Sequence, residues 1–413
     1  MRAAKFFFLK IILLSAVLQI CTVIKICAQE FHFSGNKKKG AVSFSLIKNL
    51  VIIPVYINGK GPYNFILDTG VGPMIITDTS IVKGLDQTKL RPIKITGLGK
   101  GAEIDALLSN EMNASVGRAG ISYIPAAILK EDVLGLSNYV GTKISGLLGY
   151  YFFRSFIVKI NYSSRRVVFS VRDDKRKIKG EIIPIQIINN KPYVNIDLDI
   201  PGLGTVSAKM VIDNGASHAL SLETLNEKPF PVPADAISAN LGIGLSGPIS
   251  GNLSRVTSVK LGNFKFKNVI ASYPIYDDVA LRTYLLNRNG NLGAEILSRF
   301  NITFDYEGGF MYLKPNITFK RPFDHDMAGI EIYSGETKPT RFYVSRIESG
   351  SPADLAGIRE GDEILTVNFT KTSSMDLDDL SKLLRSGDGK LVFFSLNRAG
   401  ELFIKMIKLK KRI

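Results

Sequence analysis

The sequence predicts a mostly β protein, with two similar β lobes followed by a smaller C-terminal domain of mixed α and β structure. Short runs rich in Val, Ile, Phe and Tyr, such as VIIPVYIN and SFIVKINY, end at Gly, Pro or Asn, which is typical of strands. GLLGYYFFRS is an exception, because its apolar residues recur at helical spacing. The second observation is an internal repeat with a spacing of 145 residues. A length of 413 residues with 45% hydrophobic residues provides ample core for these domains.

The first 28 residues form a pattern typical of a secretory signal peptide. Three basic residues precede an apolar run at 11–24, and Ala28 supplies the small residue that a cleavage site needs. An uncleaved membrane anchor is the alternative, although Lys25 interrupts the apolar run. We therefore expect export to the periplasm or cell envelope of a Gram-negative-type bacterium, or secretion from the cell.

Composition excludes several functions for the mature chain. Both cysteines, Cys21 and Cys27, lie in the N-terminal segment, so we expect no disulfide, thiol nucleophile or thiolate metal site after its removal. Removal also takes away four basic residues and no acidic ones, which lowers the formal net charge from +16 to +12. The remaining Lys and Arg residues are scattered, so we expect no nucleic-acid binding. Three histidines, far apart in sequence, predict no metal site.

Each copy of the repeat carries an apolar run that ends in an aspartate, a polar residue and a glycine. These residues are Asp68, Thr69 and Gly70 in the first copy and Asp213, Asn214 and Gly215 in the second. Three further landmarks recur in the same order at offsets of 145, 145 and 144: Gly97-Leu98-Gly99 with Gly242-Ile243-Gly244, Val116-Gly117 with Leu261-Gly262, and Leu147-Leu148-Gly149 with Asn291-Leu292-Gly293. Four matched landmarks indicate a duplicated domain, with its copies at 40–172 and 180–315 and a charged linker between them.

Two such lobes, packed about a pseudo-twofold axis, would bring Asp68 and Asp213 face to face. Two carboxyl groups a few Å apart share one proton and titrate as a pair. The ionised member can take a proton from a water molecule while the protonated member donates to a substrate carbonyl. Amide hydrolysis by this route needs no covalent intermediate, no metal and no other cofactor. The glycine after each aspartate would let the backbone pass close beneath the carboxyl groups.

The Gly-x-Gly pairs fit the tips of hairpins, one of which is a candidate flap over the cleft. These glycines are Gly97, Gly99, Gly242 and Gly244. An extended polypeptide would bind in the cleft by adding a strand, with main-chain hydrogen bonds supplying the affinity.

Asp68-Thr69-Gly70, followed by Leu147-Leu148-Gly149, resembles the pepsin and retropepsin family of aspartic proteases. The resemblance covers roughly residues 40–315 and is to the two-lobed form, because both copies stand on one chain. It implies two β-barrel lobes, a catalytic dyad of Asp68 and Asp213, a lytic water and a chain that acts as a monomer. Thr69, Gly70, Asn214 and Gly215 would support the dyad.

The second copy departs from the family pattern at two positions. The family has Thr or Ser after the aspartate, with a hydroxyl that bonds across the lobe interface, whereas this copy has Asn214. An amide both donates and accepts, so a hydrogen bond to Thr69 remains open to it. Asn291 replaces the first apolar residue of the second apolar-apolar-Gly segment. Both changes leave a degenerate site as an alternative to an active one.

The C-terminal segment, placed at 322–413, resembles bacterial PDZ domains. The resemblance rests on SGSPADLAGIREGDEILTVN, in which Ser351-Pro352 would begin a short helix that Gly357 ends. In that family, backbone N–H groups of a glycine-containing loop hold the carboxylate of a peptide C-terminus. The matching loop is Met327-Ala328-Gly329-Ile330, and a helix at 377–385 would form the opposite wall through Leu380 and Leu384. Core packing is the alternative role for these leucines.

These observations predict an exported aspartic endopeptidase whose PDZ domain binds C-terminal peptide tails or steers the polypeptide substrate. The competing class is a non-catalytic protein whose lobes bind an extended peptide. His218 stands next to Ser217 and five residues after Asp213, which invites a Ser-His-Asp interpretation. No nucleophile elbow lies nearby in the sequence, so we expect a histidine at the cleft edge or on the surface.

Overall fold

The computed structural model describes residues 29–95, 103–173, 177–244, 247–275, 287–335 and 340–413, and the side chains of residues 87, 243 and 248 also lie outside this description. The described chain is mostly β, which confirms the predicted fold class. Among the described residues, no helix combines the length and the apolar character that a membrane crossing requires.

Strands make up most of each lobe. Those of the first lobe are β1 (His32–Phe33), β2 (Lys39–Ser43), β3 (Ser45–Ile47), β4 (Leu50–Ile57), β5 (Lys60–Leu67), β6 (Met74–Ile76), β7 (Arg91–Ile95), β8 (Ile104–Val116), β9 (Ala119–Leu129), β10 (Gly146–Leu148), β11 (Ile157–Asn161) and β12 (Arg166–Ser170). Those of the second are β13 (Glu181–Pro184), β14 (Gln186–Ile188), β15 (Lys191–Ile200), β16 (Gly204–Asp213), β17 (Leu220–Leu222), β18 (Thr224–Leu225), β19 (Lys228–Pro229), β20 (Ile237–Gly244), β21 (Gly247–Leu261), β22 (Phe264–Pro274), β23 (Gly290–Gly293), β24 (Phe300–Asp305) and β25 (Phe310–Pro315).

The C-terminal domain and the helices complete the described elements. The remaining strands are β26 (Ile330–Ser334), β27 (Phe342–Ile347), β28 (Glu363–Val367), β29 (Thr370–Lys371), β30 (Leu391–Arg398) and β31 (Glu401–Lys408). The α-helices are α1 (Leu136–Val140), α2 (Tyr150–Ser155), α3 (Ala294–Leu297), α4 (Pro352–Leu355) and α5 (Leu377–Leu384). Three short 3₁₀ helices lie at Thr79–Val82, Gln87–Lys89 and Thr372–Ser374.

The helical pattern in GLLGYYFFRS is only partly realised. Helix α2 begins at Tyr150, whereas Gly146–Leu148 is the short strand β10. The helix prediction was wrong for these residues because β10 lies between β5 and β6 and pairs with both strands. Such pairing with distant strands leaves no signature in the local apolar spacing.

The two lobes share one strand arrangement. The sheet of the first lobe has the order β1-β9-β6-β10-β5-β4-β8-β7, and that of the second has β14-β15-β16-β23-β17-β22-β21-β20. In each sheet, the apolar-apolar-Gly strand (β10 or β23) runs parallel to the strand before the aspartate (β5 or β16). It runs antiparallel to the strand after the aspartate (β6 or β17). The repeat found in the sequence is therefore a repeat of structure.

A third sheet joins the lobes. Its order is β13-β25-β24-β11-β12-β2, so that each lobe contributes three strands. At its centre β11 pairs antiparallel with β24, and Lys159 lies opposite Thr303. These two residues are equivalent at the repeat offset of 144. The pseudo-twofold axis therefore passes between them.

Burial of apolar side chains explains why the lobes form one body. A single apolar cluster takes in residues of both lobes, including Val158 and Ile160 of β11 and Ile302 and Phe304 of β24. A smaller cluster lies on the other face of the first-lobe sheet. Because apolar burial is the main favourable term in folding, neither lobe is a separate folding unit in this arrangement.

The C-terminal residues form a sheet of their own, in the order β26-β27-β28-β30-β31 with β29 beside β28. This sheet and helix α5 enclose a separate apolar core. Helix α5 begins at a capping box formed by Asp376 and Asp379 and packs against the edge strand β26. The predicted domain boundaries remain predictions.

Candidate active site

The ends of two strands bring Asp68 and Asp213 to the seam between the lobes. The residues before each aspartate, on β5 and β16, are almost completely buried. The backbone N–H of Asp68 donates to the Leu148 carbonyl of β10 at 2.9 Å, and Asp213 lies opposite Gly293 of β23. Each aspartate is thus fixed by the parallel strand beside it.

Four hydrogen bonds cross the seam directly beneath the two carboxyl groups. The Thr69 N–H donates to Asn214 Oδ1 at 2.9 Å, and the Asn214 N–H donates to Thr69 Oγ1 at 3.1 Å. Thr69 Oγ1 then donates to the Ile212 carbonyl at 2.7 Å, and Asn214 Nδ2 donates to the Leu67 carbonyl at 2.7 Å. The Asn214 amide therefore accepts one hydrogen bond through its oxygen and donates one through its nitrogen. The Thr69 hydroxyl both accepts and donates through its single oxygen.

The backbone on each side of the seam passes close to the carboxyl groups, most closely at Gly215. A Cβ at Gly215 would lie 2.2 Å from Asp68 Cγ, and one at Gly70 would lie 3.1 Å from Asp213 Oδ1. The Gly70 N–H donates to Asp68 Oδ1 at 2.6 Å, and the Gly215 N–H donates to Asp213 Oδ1 at 3.0 Å. A side chain at Gly215 would displace the Asp68 carboxyl group.

The environment of Asp68 favours its protonated form. Burial raises the pKa of Asp68 well above its usual range, and the charge of Asp213 raises this pKa further. The Gly70 N–H and the charge of Lys191 act in the opposite direction on the same pKa. Two carboxyl groups placed in this way are expected to share one proton.

Asn291 supplies a contact that the sequence did not predict. It lies on β23, where its Nδ2 donates to Asp213 Oδ2 at 3.2 Å, while its Oδ1 is buried without a hydrogen-bond partner. The sequence indicates Asn291 only as the loss of an apolar residue. The position of Asn291 in the repeat could have indicated this contact, because an amide on the strand next to the one that carries Asp213 can reach that carboxylate.

Basic residues also stand near the dyad. Burial lowers the pKa of Lys191, and the charge of Arg288 lowers it as well, while Asp213 and Asp68 raise it. Arg288 forms a buried two-pronged ion pair with Glu223, at 3.0 Å for Nε and 3.3 Å for Nη2. This cluster was not predicted from the sequence, because its members come from three separate segments.

The structure describes two of the four predicted flap glycines. Gly97 and Gly99 lie outside the described residues. Gly242 and Gly244 lie on β20, where Gly242 has a φ of +112° at a bulge and Gly244 pairs with Gly247 of β21. The same strand contacts the C-terminal domain, since Asn240 Nδ2 donates to Glu331 at 3.1 Å. Whether this hairpin acts as a flap remains a prediction.

The residues predicted to bind a peptide tail surround one end of a groove between β26 and α5. The Met327 N–H donates to the Leu384 carbonyl at 3.1 Å, which joins the loop to the end of α5. Leu380, Leu384 and Ile330 all belong to the buried C-terminal core, and Leu384 and Ile330 also border a cavity of about 640 Å³. The Ala328 and Gly329 N–H groups donate to Asp326 Oδ1.

His218 is a half-buried residue near the edge of the site. Burial lowers its pKa, and its Nε2 has no hydrogen-bond partner in the structure. Its neighbour Ser217 bonds instead to Tyr139 of α1, with 2.6 Å between Oγ and the phenol oxygen. No group of three His, Cys, Asp or Glu side chains suited to a metal ion occurs within the described part of the chain.

Two segments of the chain match family models of known proteins. Residues 53–152 match the family model described as aspartyl protease, and residues 343–398 match the one described as PDZ domain. A curated protein, the Tax1-binding protein 3 homolog of Caenorhabditis elegans, is 35% identical over 66 residues, which are 16% of this chain and 44% of that protein. The chain thus spans less than half the length of this relative.

Among solved structures, an HtrA-type protease with a decapeptide matches at 12% identity over 74% of this chain and 78% of that one. Its TM-score of 0.20 is too low to support an argument about the fold. The family matches support a peptidase, and they confirm the suspected architecture. The chain therefore combines an aspartyl protease domain with a C-terminal PDZ domain.

Proposed function

We propose that the protein is an exported aspartic endopeptidase that uses Asp68 and Asp213 as a catalytic dyad. The observation that carries the proposal is the set of four hydrogen bonds between the Thr69 and Asn214 loops, which fixes both carboxyl groups at one seam. Polypeptides are the substrate, and the chain acts as a monomer because both halves of the dyad come from it. Export rests on the N-terminal sequence pattern alone.

We assign the shared proton to Asp68, because burial and the charge of Asp213 both favour its protonated form. Asp68 holds the shared proton and donates it to the carbonyl oxygen of the scissile amide. Asp213, which accepts a hydrogen bond from Asn291, takes a proton from the attacking water. When the tetrahedral intermediate collapses, the leaving amine takes that proton from Asp213, and Asp68 regains its own from the new carboxylic acid. The residues act through water, and no bond forms between enzyme and substrate.

The PDZ domain is proposed to bind peptide tails or to steer the substrate. The match to the PDZ family and the groove between β26 and α5 support this role. The pair of carboxyl groups is positioned by the two lobes, so the chemical step does not require the PDZ domain. We therefore expect this domain to affect KM more than kcat.

The test is cleavage of an unstructured protein such as casein between pH 3 and pH 8. We expect Asp68→Asn and Asp213→Asn each to lower kcat/KM at least about 1,000-fold, because each removes one proton-transfer group. The matched control is Asp78→Asn, which replaces another aspartate of the first lobe that accepts hydrogen bonds from Ser80.

A different result would favour the non-catalytic alternative. If the protein cleaves nothing across this pH range and binds no statine-containing inhibitor, the lobes only bind peptide. If cleavage persists in both variants, the dyad assignment is wrong.

A further inference from the structure

The loop that should hold a peptide carboxylate already holds one from its own chain. Asp326 Oδ1 accepts the N–H groups of Ala328 at 3.1 Å, of Ile330 at 3.2 Å and of Gly329. The remaining N–H of the loop, that of Met327, donates to the Leu384 carbonyl. Every N–H of the predicted carboxylate loop is therefore occupied within the chain.

The far end of the same groove is covered by the protease domain. Strand β26 and helix α5 run in opposite directions, so the loop end has Ile330 and Leu384, and the far end has Ser334 and Leu377. Helix α1 of the first lobe packs against β26. A Cβ on Gly141, which follows α1, would lie 3.2 Å from Ser334 Oγ and 3.8 Å from Leu377 Cβ.

Between these two contacts the groove opens into the cavity of about 640 Å³. Its apolar wall includes Ile330, Ile332 and Leu384, and its charged lining includes both cations (Arg346, Arg385) and anions (Glu331, Glu348, Asp378). An apolar wall beside a loop of backbone N–H groups suits a polypeptide that ends in an apolar residue and a free carboxylate. A peptide carboxylate and Asp326 cannot both accept the same three N–H groups.

We propose that the PDZ groove is held closed by the chain itself, by Asp326 in the loop and by α1 at the far end, and that a polypeptide with an apolar residue and free carboxylate at its C-terminus opens it by displacing Asp326. The competition includes charge repulsion, because two carboxylates would meet at one loop. The apparent affinity for tails is thus lower than the groove alone would give.

Displacement at the groove is connected to the seam through α1. Tyr139 of α1 bonds to Ser217, four residues after Asp213, and the Lys48 ammonium lies 3.8 Å from the centre of the Tyr139 ring. The Asn49 Nδ2 also donates to the Ser217 carbonyl at 3.2 Å. A peptide tail that loosens α1 from β26 therefore disturbs the hydrogen bond between Tyr139 and Ser217, which lies close to the dyad loop.

The test measures peptide binding and needs no cleavage. Full-length protein with Asp68→Asn, which keeps the probe intact, is titrated into fluorescein-labelled octapeptides ending in Ala-Val, Ala-Leu or Ala-Phe. Each peptide is used with a free carboxylate and as the amide. We expect Asp326→Asn or Asp326→Ala, added to this chain, to bind the free-carboxylate peptides at least about fivefold tighter. The amides should show no such gain.

The matched control is Asp388→Asn, which replaces an exposed aspartate that accepts the Lys411 N–H elsewhere in the same domain. Near-ultraviolet circular dichroism and the melting temperature show whether each variant is folded. Equal or weaker binding by the folded Asp326 variants would mean that Asp326 frames the loop for its ligand, and the competition is then refuted. Absence of binding in every variant would refute it as well.

A second measurement addresses the far end. Peptide binding to the chain with Asp326 intact should increase amide hydrogen exchange in α1, and Ser334→Tyr, which crowds Gly141, should increase it without peptide. Unchanged exchange in α1 under both conditions would overturn the proposed clamp. Since these readouts do not involve hydrolysis, a failed protease assay leaves them interpretable.

Discussion

Asn214 carries two hydrogen bonds across the lobe seam, one through each atom of its amide. It accepts the Thr69 N–H and donates to the Leu67 carbonyl, and both partners are buried. The residue that the sequence marked as a departure from the family pattern therefore completes the symmetrical set of bonds. The reach of the longer side chain compensates for the absence of a hydroxyl.

Replacing Asn214 by alanine should weaken both the fold and the site. The Thr69 N–H and the Leu67 carbonyl would lose their partners, at a cost of about 2–4 kcal/mol in the free energy of unfolding. We expect kcat/KM to fall at least about tenfold, because the two loops lose their common anchor. Urea unfolding and casein cleavage measure the two effects.

Asn214→Thr is the control, since a hydroxyl can make both bonds, and it should stay within about 1 kcal/mol of the unsubstituted protein. An alanine variant as stable and as active as the natural chain would show that the bonds across the seam are dispensable.

Asp68 should make stability depend on pH in an identifiable direction. Its pKa is raised in the folded protein by burial and by Asp213, against the effects of Gly70 and Lys191. A raised carboxyl pKa contributes stability that is fully present below the unfolded pKa, about 3.9, and is lost as pH rises through the folded pKa. Asp68→Asn removes this loss. We expect the variant to be more stable than the natural chain at pH 7, by at least about 1 kcal/mol, and to have no advantage at pH 3.

Urea unfolding at both pH values tests this expectation. Asp86→Asn is the control, because its carboxyl pKa is lowered through bonds to Thr88, so its substitution should bring no gain at pH 7. If the stability of the Asp68→Asn variant relative to the natural chain were lower at pH 7 than at pH 3, the upward direction assigned to the Asp68 pKa would be wrong.

At the scale of elements, the sheet that joins the lobes sets the cooperativity of unfolding. Ile302 of β24 is fully buried and pairs with Ile160 of β11 in the core common to both lobes. Truncation to alanine should cost about 2–4 kcal/mol, since it removes buried methyl groups and leaves a cavity. Because the core is continuous, we expect both lobes to melt together at a lower temperature in Ile302→Ala.

Differential scanning calorimetry tests this expectation, with Ile317→Ala as the control, because Ile317, which follows β25, is 90% exposed. If Ile302→Ala split the melting of the protease lobes into two separate transitions, the lobes would be independent units, contrary to the shared core.

The sequence predicts those elements whose signal is local or repeated. The offset of 145 predicted both copies of the aspartate strand, and the GSPA and Gly-Asp turns predicted the C-terminal domain. The short strand β10 escaped prediction, because only its neighbours β5 and β6 make it a strand. The contact of Asn291 with Asp213 and the capping of the loop by Asp326 also depend on tertiary placement. A side chain's partner in another segment is not encoded in its own neighbourhood.

At the scale of the whole molecule, the PDZ domain is fixed against the protease lobes. Arg299 of the second lobe donates to the carbonyls of Arg321 and Pro322, and its guanidinium lies 3.6 Å from the centre of the Phe323 ring. Phe323 is itself buried in the core of the lobes. The segment between the second lobe and the PDZ domain is thus attached to the second lobe. A groove on a domain held in this way can be regulated by its own neighbour.

The pair formed by Lys159 and Thr303 at the pseudo-twofold axis bears on self-association. These residues occupy equivalent positions, so a first lobe that paired with a second copy of itself in this register would set Lys159 opposite Lys159. Like charges directly opposite on neighbouring strands are destabilising. The first lobe is therefore biased against forming a homodimer through β11, while its union with the second lobe avoids the repulsion. Lys159 thus favours pairing of the first lobe with the second lobe of the same chain over pairing with the first lobe of another copy.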